Sequence, residues 1–350
     1  MEELNNIIQP KRVRRFGWAK IALAGFILIC GLGVGGAYLI YLNEISGVGT
    51  GAKMQSEVKK GDSFSSLASR LKSQKIIKSV LFFDIYIRIH SNFVLLPGLY
   101  SFRHGESDAE VVATLKRGPN EFKLTVIPGM TLDQIAKQIG KIPGHNAGQF
   151  LKAASTQRYI SPFLPKGSHN LEGLLSPDTY FVLPDESNHQ VIQEMLDQTA
   201  IVAGQAGLHS NTNANSVTPY QELIVASLIQ REALVLSDYA KVARVIYNRL
   251  AIPMNLQFDS TVLYGLGLTS GSPTLGDLST YTPYNTYVNS GLPPTPISAP
   301  SFQAIRAALD PAPGPWIYFV TTSSNGAEAF SVTYQGQLAN EALAAQRGLS

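Results

Sequence analysis

LIVASLIQREALVLSDYAKVARVIYNRL, from Leu223 to Leu250, is the stretch from which the rest of the chain is read. Wound as a helix, Leu223–Leu234 sets Glu232 in line with Val225, Leu228 and Ile229, which lie seven, four and three positions back. A carboxyl group on an apolar stripe is costly to ionise, so its pKa rises. A general acid working near neutral pH needs that property. The same spacing fits a Glu at the edge of the stripe that reaches solvent, and spacing alone leaves both readings open. Just upstream, Thr218-Pro219-Tyr220-Gln221 spells a helix start, with Thr218 as cap, Pro219 in the first turn and Gln221 completing a capping box. Downstream, Ser237-Asp238 opens a second helix with Ala243, Ile246 and Leu250 on one face and Arg244, Asn248 and Arg249 on the other.

Toward the C-terminus, MNLQFDSTVLYGLG (Met254 to Gly267) brings Gln257, Asp259 and Tyr264. YTPYNTYVNSGLPPTPISAP (Tyr281 to Pro300) is rich in Tyr, Asn and Pro. Such a loop makes a rigid wall for a polar ligand, or simply a rigid structural loop. PWIYFVTT (Pro315 to Thr322) reads as a strand, Ser323–Gly326 as a turn carrying Asn-Gly, and FSVTY (Phe330 to Tyr334) as the returning strand. Upstream of the key helix, NLEGLLSPDTYFV (Asn170 to Val182) pairs Glu172 with Asp178 across Gly173 and Pro177, as part of a carbohydrate cleft or as turn chemistry. Val191 to Val202 reads as an amphipathic helix, and Gly204 to Val217 as a polar loop. Helices, hairpins and irregular loops mixed in this way predict an α+β fold.

A pattern recurs in the N-terminal third. VKKGDSFSSLASRL (Val58 to Leu71) matches VIPGMTLDQIAKQI (Val126 to Ile139), and FRHGESDAEVVATL (Phe102 to Leu115) is a looser third copy. Each reads as a strand-like approach, a glycine turn and a capped amphipathic helix. Ser107 with Glu110 and Thr131 with Gln134 are full capping boxes, Ser63 lacks a partner acid, and Gly118 ends the middle helix. The units resemble LysM-like modules, small α+β folds that bind N-acetylglucosamine polymers; a purely structural spacer fits the same pattern. Before them Glu44 to Gln55 reads as a Gly/Ser-rich linker. Lys11, Arg12, Arg14, Arg15 and Lys20 precede an uncharged run from Ile21 to Leu42. At about 1.5 Å per residue that run spans roughly 33 Å, enough to cross a bilayer as a single-pass anchor; a cleaved signal peptide, whose apolar core is shorter at about 7–15 residues, and a buried helix of a soluble domain are the other readings. The basic flank stays cytoplasmic, so everything beyond about residue 43 is exported.

Composition narrows the function classes. The 350 residues carry a net charge of +3, much of it in the first twenty positions, so no nucleic-acid surface is implied. A single cysteine, Cys30, excludes an intramolecular disulfide. The six histidines (His90, His104, His145, His169, His189 and His209) show no HxxxH or HExxH spacing, so no metal is expected. GxSxG, P-loop and GxGxxG signatures are absent.

LEGLLSPDTYF, ASLIQRE, KVARVIYNRL, MNLQFDSTVLYG, TPYNTYVNSGLPPTPISAP, and WIYFVTT with FSVTY follow one another in that order. In these strings the chain resembles the endolytic murein transglycosylase family (MltG, YceG-like) over essentially its whole length. The resemblance implies a cytoplasmic tail over 1–20, a transmembrane anchor over 21–42, a LysM-like α+β module over 54–120 and a mixed α+β catalytic domain over 121–345. It places the enzyme in the cytoplasmic membrane with its C-terminal part outside. The family's acid/base, the last Glu of a segment of the form AS-I/V-hydrophobic-E-K/R-E, falls on Glu232, while the earlier Glu falls on Gln230. The family's His residues near the last strand have no counterpart in GAEAFSVTYQGQLANEA. The implied reaction cuts peptidoglycan glycan strands internally between N-acetylmuramic acid and N-acetylglucosamine. It leaves a 1,6-anhydro-N-acetylmuramic acid end, terminates nascent strands, and makes peptidoglycan synthases candidate partners. No cofactor is required. Gln257, Asp259, Tyr284, Asn285 and Glu172 are the expected substrate-binding residues, each also readable as a structural hydrogen-bonder. A muramidase-type hydrolase with Asp259 or Glu172 as second acid, and a non-catalytic peptidoglycan-binding scaffold, are the alternatives.

Overall fold

The computed structural model describes residues 16–349 apart from 48, 50, 91, 213 and 253. The basic tail through Arg15 lies outside the described residues. The fold is mixed α+β, and its six described strands form three two-stranded antiparallel sheets. The chain separates into two compact units, one ending at Asn120 and one beginning at Glu121.

The first unit starts with α1 (Phe16–Ile45), three residues longer at its C-terminal end than the apolar run read from the sequence. Its Ala22–Ile45 segment has a mean hydropathy of 2.1 and none of its most apolar window is buried, so by length and composition this helix can cross a membrane. Then come β1 (Lys53–Val58), α2 (Phe64–Ser73), α3 (Val80–His90), β2 (Gly98–Arg103) and α4 (Asp108–Arg117). β1 and β2 pair in the register Lys53↔Arg103 to Val58↔Gly98. Val58, Tyr100 and Phe102 of the sheet pack against Leu67, Leu71, Phe83, Val111 and Leu115 of the helices.

The sequence repeat is a structural repeat. In each copy a glycine at positive φ sits two residues ahead of the helix cap: Gly61 (+87°) before Ser63, Gly105 (+68°) before Ser107, and Gly129 (+86°) before Thr131. A side chain would strain that turn, and without it the strand could not fold back into the helix. Ser63 does find a partner: Ser66 Oγ accepts from the Ser63 N–H at 3.1 Å and completes the box that an acid completes elsewhere.

The second unit runs β3 (Phe122–Val126), α5 (Leu132–Ile139), α6 (Ala147–Thr156), β4 (Asp178–Val182), α7 (Asn188–Ala206) and α8 (Pro219–Glu232). It continues through α9 (Tyr239–Ala251), α10 (Asp259–Gly265), α11 (Leu275–Ser279), α12 (Phe302–Leu309), β5 (Tyr318–Thr321), β6 (Glu328–Ser331) and α13 (Tyr334–Gln346). β3, which leads into the Val126–Ile139 copy, pairs with β4 from further along the chain, and β5 pairs with β6. Two expected boundaries move. α7 reaches Ala206, where Gly207 at φ +98° stops it, so part of the expected polar loop is helical. The returning strand begins at Glu328, and Thr333, expected inside it, instead caps α13.

α8 is the axis of this unit. Every residue from Glu222 to Ile229 is buried, and the helix packs against α9, α10 and α12. The expectation of a stripe is therefore corrected. A helix apolar on all sides is buried on all sides, and Glu232 owes its setting to the end of a core helix. Ser227 shows how polar groups are accommodated here: its Oγ donates to Ile224 O at 2.7 Å and accepts from the Ile297 N–H at 3.1 Å, tying the Pro-rich loop to the core.

Candidate active site

Glu232 is the last residue of α8, partly open to solvent, with its carboxyl group crowded by neighbouring elements. Ser260, in the first turn of α10, donates from Oγ to Glu232 Oε1 at 2.5 Å. Burial pushes the Glu232 carboxyl up to about 7; the bonds from Ser260 act in the opposite direction, and the charge of Asp259 adds to the rise. A helix C-terminus, where carbonyl dipoles point outward, also disfavours an anion. Glu232 is thus a carboxylic acid that holds its proton to neutrality and can exchange it there.

The chain on either side of α10 packs beside Glu232. The Tyr287 hydroxyl donates to Asp259 Oδ1 at 2.7 Å. Thr286 accepts from the Phe258 N–H through Oγ1 at 3.0 Å and meets Thr261 Oγ1 at 2.8 Å, which ties the Tyr/Asn/Pro loop to α10. Gln257 lies exposed at φ +52°, its backbone N–H bonded to Thr286 O at 3.1 Å. Arg249, expected on an outer face of α9, is buried. Its Nε donates to Ile317 O at 2.7 Å, its Nη1 to Leu256 O, and its guanidinium lies 5.6 Å from the Tyr318 ring centre. It lies within the field of Glu232.

The β5–β6 hairpin packs against the chain leaving α8. Its turn residue Gly326 has φ +84°, and a Cβ there would lie 2.8 Å from Leu234 Cβ, so only glycine lets the hairpin seat against the chain leaving α8. Glu328, at the start of β6, donates its backbone N–H to Asp238 Oδ2 at 3.0 Å. Its side-chain Oε2 is sealed from water without a hydrogen-bond partner. Burial, then the charges of Glu232 and Asp238, push this carboxyl up to about 8. Two carboxyls, Glu232 and Glu328, therefore sit in one electrostatic neighbourhood, and neither is fully ionised at neutral pH.

Other expected residues are occupied elsewhere. Asn285 is fully buried; its Nδ2 donates to the carbonyls of Leu278 (3.0 Å) and Thr280 (2.8 Å), and its Oδ1 accepts from the Tyr287 N–H at 2.9 Å. That hydrogen-bonding capacity is spent holding its own loop. Glu172 is buried and accepts from the Leu132 N–H at 3.0 Å and the Tyr264 hydroxyl at 3.0 Å, satisfying the N-terminus of α5. Burial pushes it up to about 7 as well. Tyr284 stands edge-on to Tyr264 at 4.7 Å, and its hydroxyl meets Thr295 Oγ1 at 3.1 Å. Gln230 accepts from the Ser301 N–H at 3.1 Å and donates to the Tyr239 hydroxyl at 3.2 Å, bridging α8 to the cap of α12. Ser260, Arg249 and Glu328 were not anticipated. Ser260 had a signal, since it follows Asp259 directly, whereas Glu328 had none beyond one acid in a short strand.

Residues 56–342 match the YceG-like family. A Bacillus subtilis protein named endolytic murein transglycosylase is 32% identical over 318 residues, covering 86% of this chain and 88% of the relative. A Streptococcus pneumoniae protein of the same name is 27% identical over 300 residues, covering 77% of this chain but 54% of that longer protein. A crystal structure of a yceG-like protein from Listeria monocytogenes superposes with a TM-score of 0.62 at 31% identity, covering 82% of this chain and 98% of that one.

Proposed function

Because this chain belongs to the YceG-like family, we propose that it is an endolytic murein transglycosylase with Glu232 as its single acid and base. The observation that carries the reading is a carboxyl at the end of the central helix, open on one side and held up to about 7. Neutral Glu232 gives its proton to the glycosidic oxygen between N-acetylmuramic acid and N-acetylglucosamine as the bond from that oxygen to the anomeric carbon breaks. The 6-hydroxyl of the same muramic acid residue then attacks the anomeric carbon, and its proton passes to Glu232. No water is consumed, and the new end is a 1,6-anhydro sugar. An ordinary glycosidase needs a second carboxylate to handle water or a covalent intermediate. Here the nucleophile is already on the substrate, which supplies its effective concentration. Ser260 orients the Glu232 carboxyl. Exposed Gln257 and Asp259 hold sugar hydroxyls and acetamido groups in this reading, Asp259 being close enough for its charge to act on Glu232.

In this reading α1 anchors the enzyme in the cytoplasmic membrane, the rest lies outside, and the first unit is a LysM-like module. Cutting within strands close to the membrane would end the elongation of nascent glycan next to peptidoglycan synthases. Asp259 keeps one alternative open, since a second carboxyl near Glu232 suits a muramidase-type hydrolase. Incubating the full chain with murein and analysing the muropeptides decides between them. Anhydro ends that disappear in Glu232→Gln support the proposal. Reducing ends would establish hydrolysis, and an unchanged profile in the variant would remove Glu232 from the chemistry.

A further inference from the structure

The first unit carries a cationic pocket of about 350 Å³ between its sheet and α4. Lys53 and Arg103 are directly opposite each other across β1 and β2, and Arg117 joins them from the last turn of α4. Two like charges at a cross-strand pair disfavour the folded sheet. Among the described residues none of the three makes an ion pair. Polar groups fill in around them: Asn120 Nδ2 donates to Ser101 Oγ at 2.7 Å, and Arg117 Nη2 donates to Thr114 Oγ1 at 3.0 Å. The pocket's one acid, Glu106, offsets part of this charge, leaving three cations to one carboxyl; its Oε1 accepts from the Arg103 N–H at 2.8 Å.

The position of the pocket names its ligand. α1 ends at Ile45, and the chain leaving it is pressed against the turn that walls the pocket: the Gly49 N–H donates to Gly105 O at 3.0 Å, and a Cβ on Gly47 would meet Gly105 O at 2.2 Å. Lys78 Nζ closes on Asn43 O in the last turn of α1 at 2.8 Å. With α1 as a membrane span, a pocket this near its end lies within reach of the lipid headgroups, whose phosphate is a diester. Arg and Lys side chains around hydroxyl and amide donors are the chemistry that recognises such a group.

We propose that the pocket lined by Lys53, Arg103 and Arg117 binds the phosphate of a membrane lipid headgroup and so fixes the first unit at the bilayer surface. This rests on α1 being a membrane span and not on the catalytic role of Glu232, and its test reads binding, so the two can fail separately. The full chain in zwitterionic detergent is titrated with dihexanoyl phosphatidylglycerol, dihexanoyl phosphatidylcholine, inorganic phosphate and a soluble murein oligosaccharide, following heat released. Tight binding of phosphatidylglycerol, weakened about 100-fold in Lys53→Ala/Arg103→Ala/Arg117→Ala, is the expected result. Lys53→Gln alone loses a smaller part, and circular dichroism shows both variants folded, as removing a repelling pair requires. Binding of neither lipid, or unchanged binding in the triple variant, overturns the proposal. Inorganic phosphate binding as tightly as the lipid would make the ligand a free anion, and oligosaccharide binding lost in the triple variant would make the pocket a glycan site; either outcome also overturns it.

Discussion

Replacing Glu232 with Gln should abolish transglycosylation and at the same time make the protein more stable, by an amount that depends on pH. The Glu232 carboxyl titrates at about 7 in the folded chain against 4.5 for the free group. One pKa step corresponds to about 1.4 kcal/mol, so holding the charged form in the fold costs on the order of 3 kcal/mol. For an acid whose folded pKa is raised, the folded state keeps a proton that the unfolded state has lost. Stability therefore falls as pH rises from 4.5 to about 7, and the cost is complete above that. Gln resembles the neutral form and still presents an oxygen to the Ser260 hydroxyl. The variant should gain less than about 1 kcal/mol at pH 5 and about 3 kcal/mol at pH 8. For a unit of about 230 residues that is a rise in Tm of roughly 6–12 °C at the higher pH. Urea unfolding of the full chain at both pH values provides the measurement. Trp316, packed 5.9 Å from Phe330, reports on the second unit, while the other tryptophan, Trp18, lies in α1. The same stabilisation at pH 5 and pH 8, or a loss at pH 8, would refute the claim that an ionised Glu232 is held against its environment.

Three further outcomes follow from the same geometry. Ser260→Ala removes the hydrogen bonds that favour ionised Glu232; the alkaline limb of the pH–rate profile should move upward while the rate at pH 6 drops roughly tenfold. Glu328→Lys sets a cation where Glu328 and Glu232 now oppose each other, which favours ionised Glu232, so that limb should move to lower pH; an unchanged profile would show that the hairpin does not act on the catalytic group. Glu172→Ala leaves the Leu132 N–H and the Tyr264 hydroxyl without their acceptor and should cost about 1–3 kcal/mol at pH 6 in a urea melt, with no shift in the pH–rate profile.

Much was legible in the residues because it is local. The cap of α8, the box at Ser107, the glycine ahead of each repeat helix and the Asn-Gly turn all depend on side chains reaching backbone a few residues away, so short strings specify them. The long apolar α1 is legible for a related reason, since its composition decides which solvent it prefers. The phase of Glu232 with its apolar neighbours pointed to a carboxyl that resists ionisation, but its crowding comes from the end of a core helix and not from a stripe.

The surroundings of Glu232 were decided only in three dimensions. Periodicity cannot distinguish a helix with one buried stripe from one buried on every side, because the difference lies in α9, α10 and α12 closing around α8. Asn285 and Glu172 look like ligand-binding polar residues in a string, yet their partners are carbonyls and an N–H brought to them by the fold. Ser260 reaches Glu232 across 28 positions and Glu328 from a hairpin 96 positions on, and neither approach leaves a trace in spacing. By itself the sequence determined helix starts, turns and the long apolar segment, because those answer to nearest neighbours and to solvent. Whether a carboxyl at the end of one helix becomes a proton donor depended on how completely distant segments exclude water from it, and that is a property of tertiary packing alone.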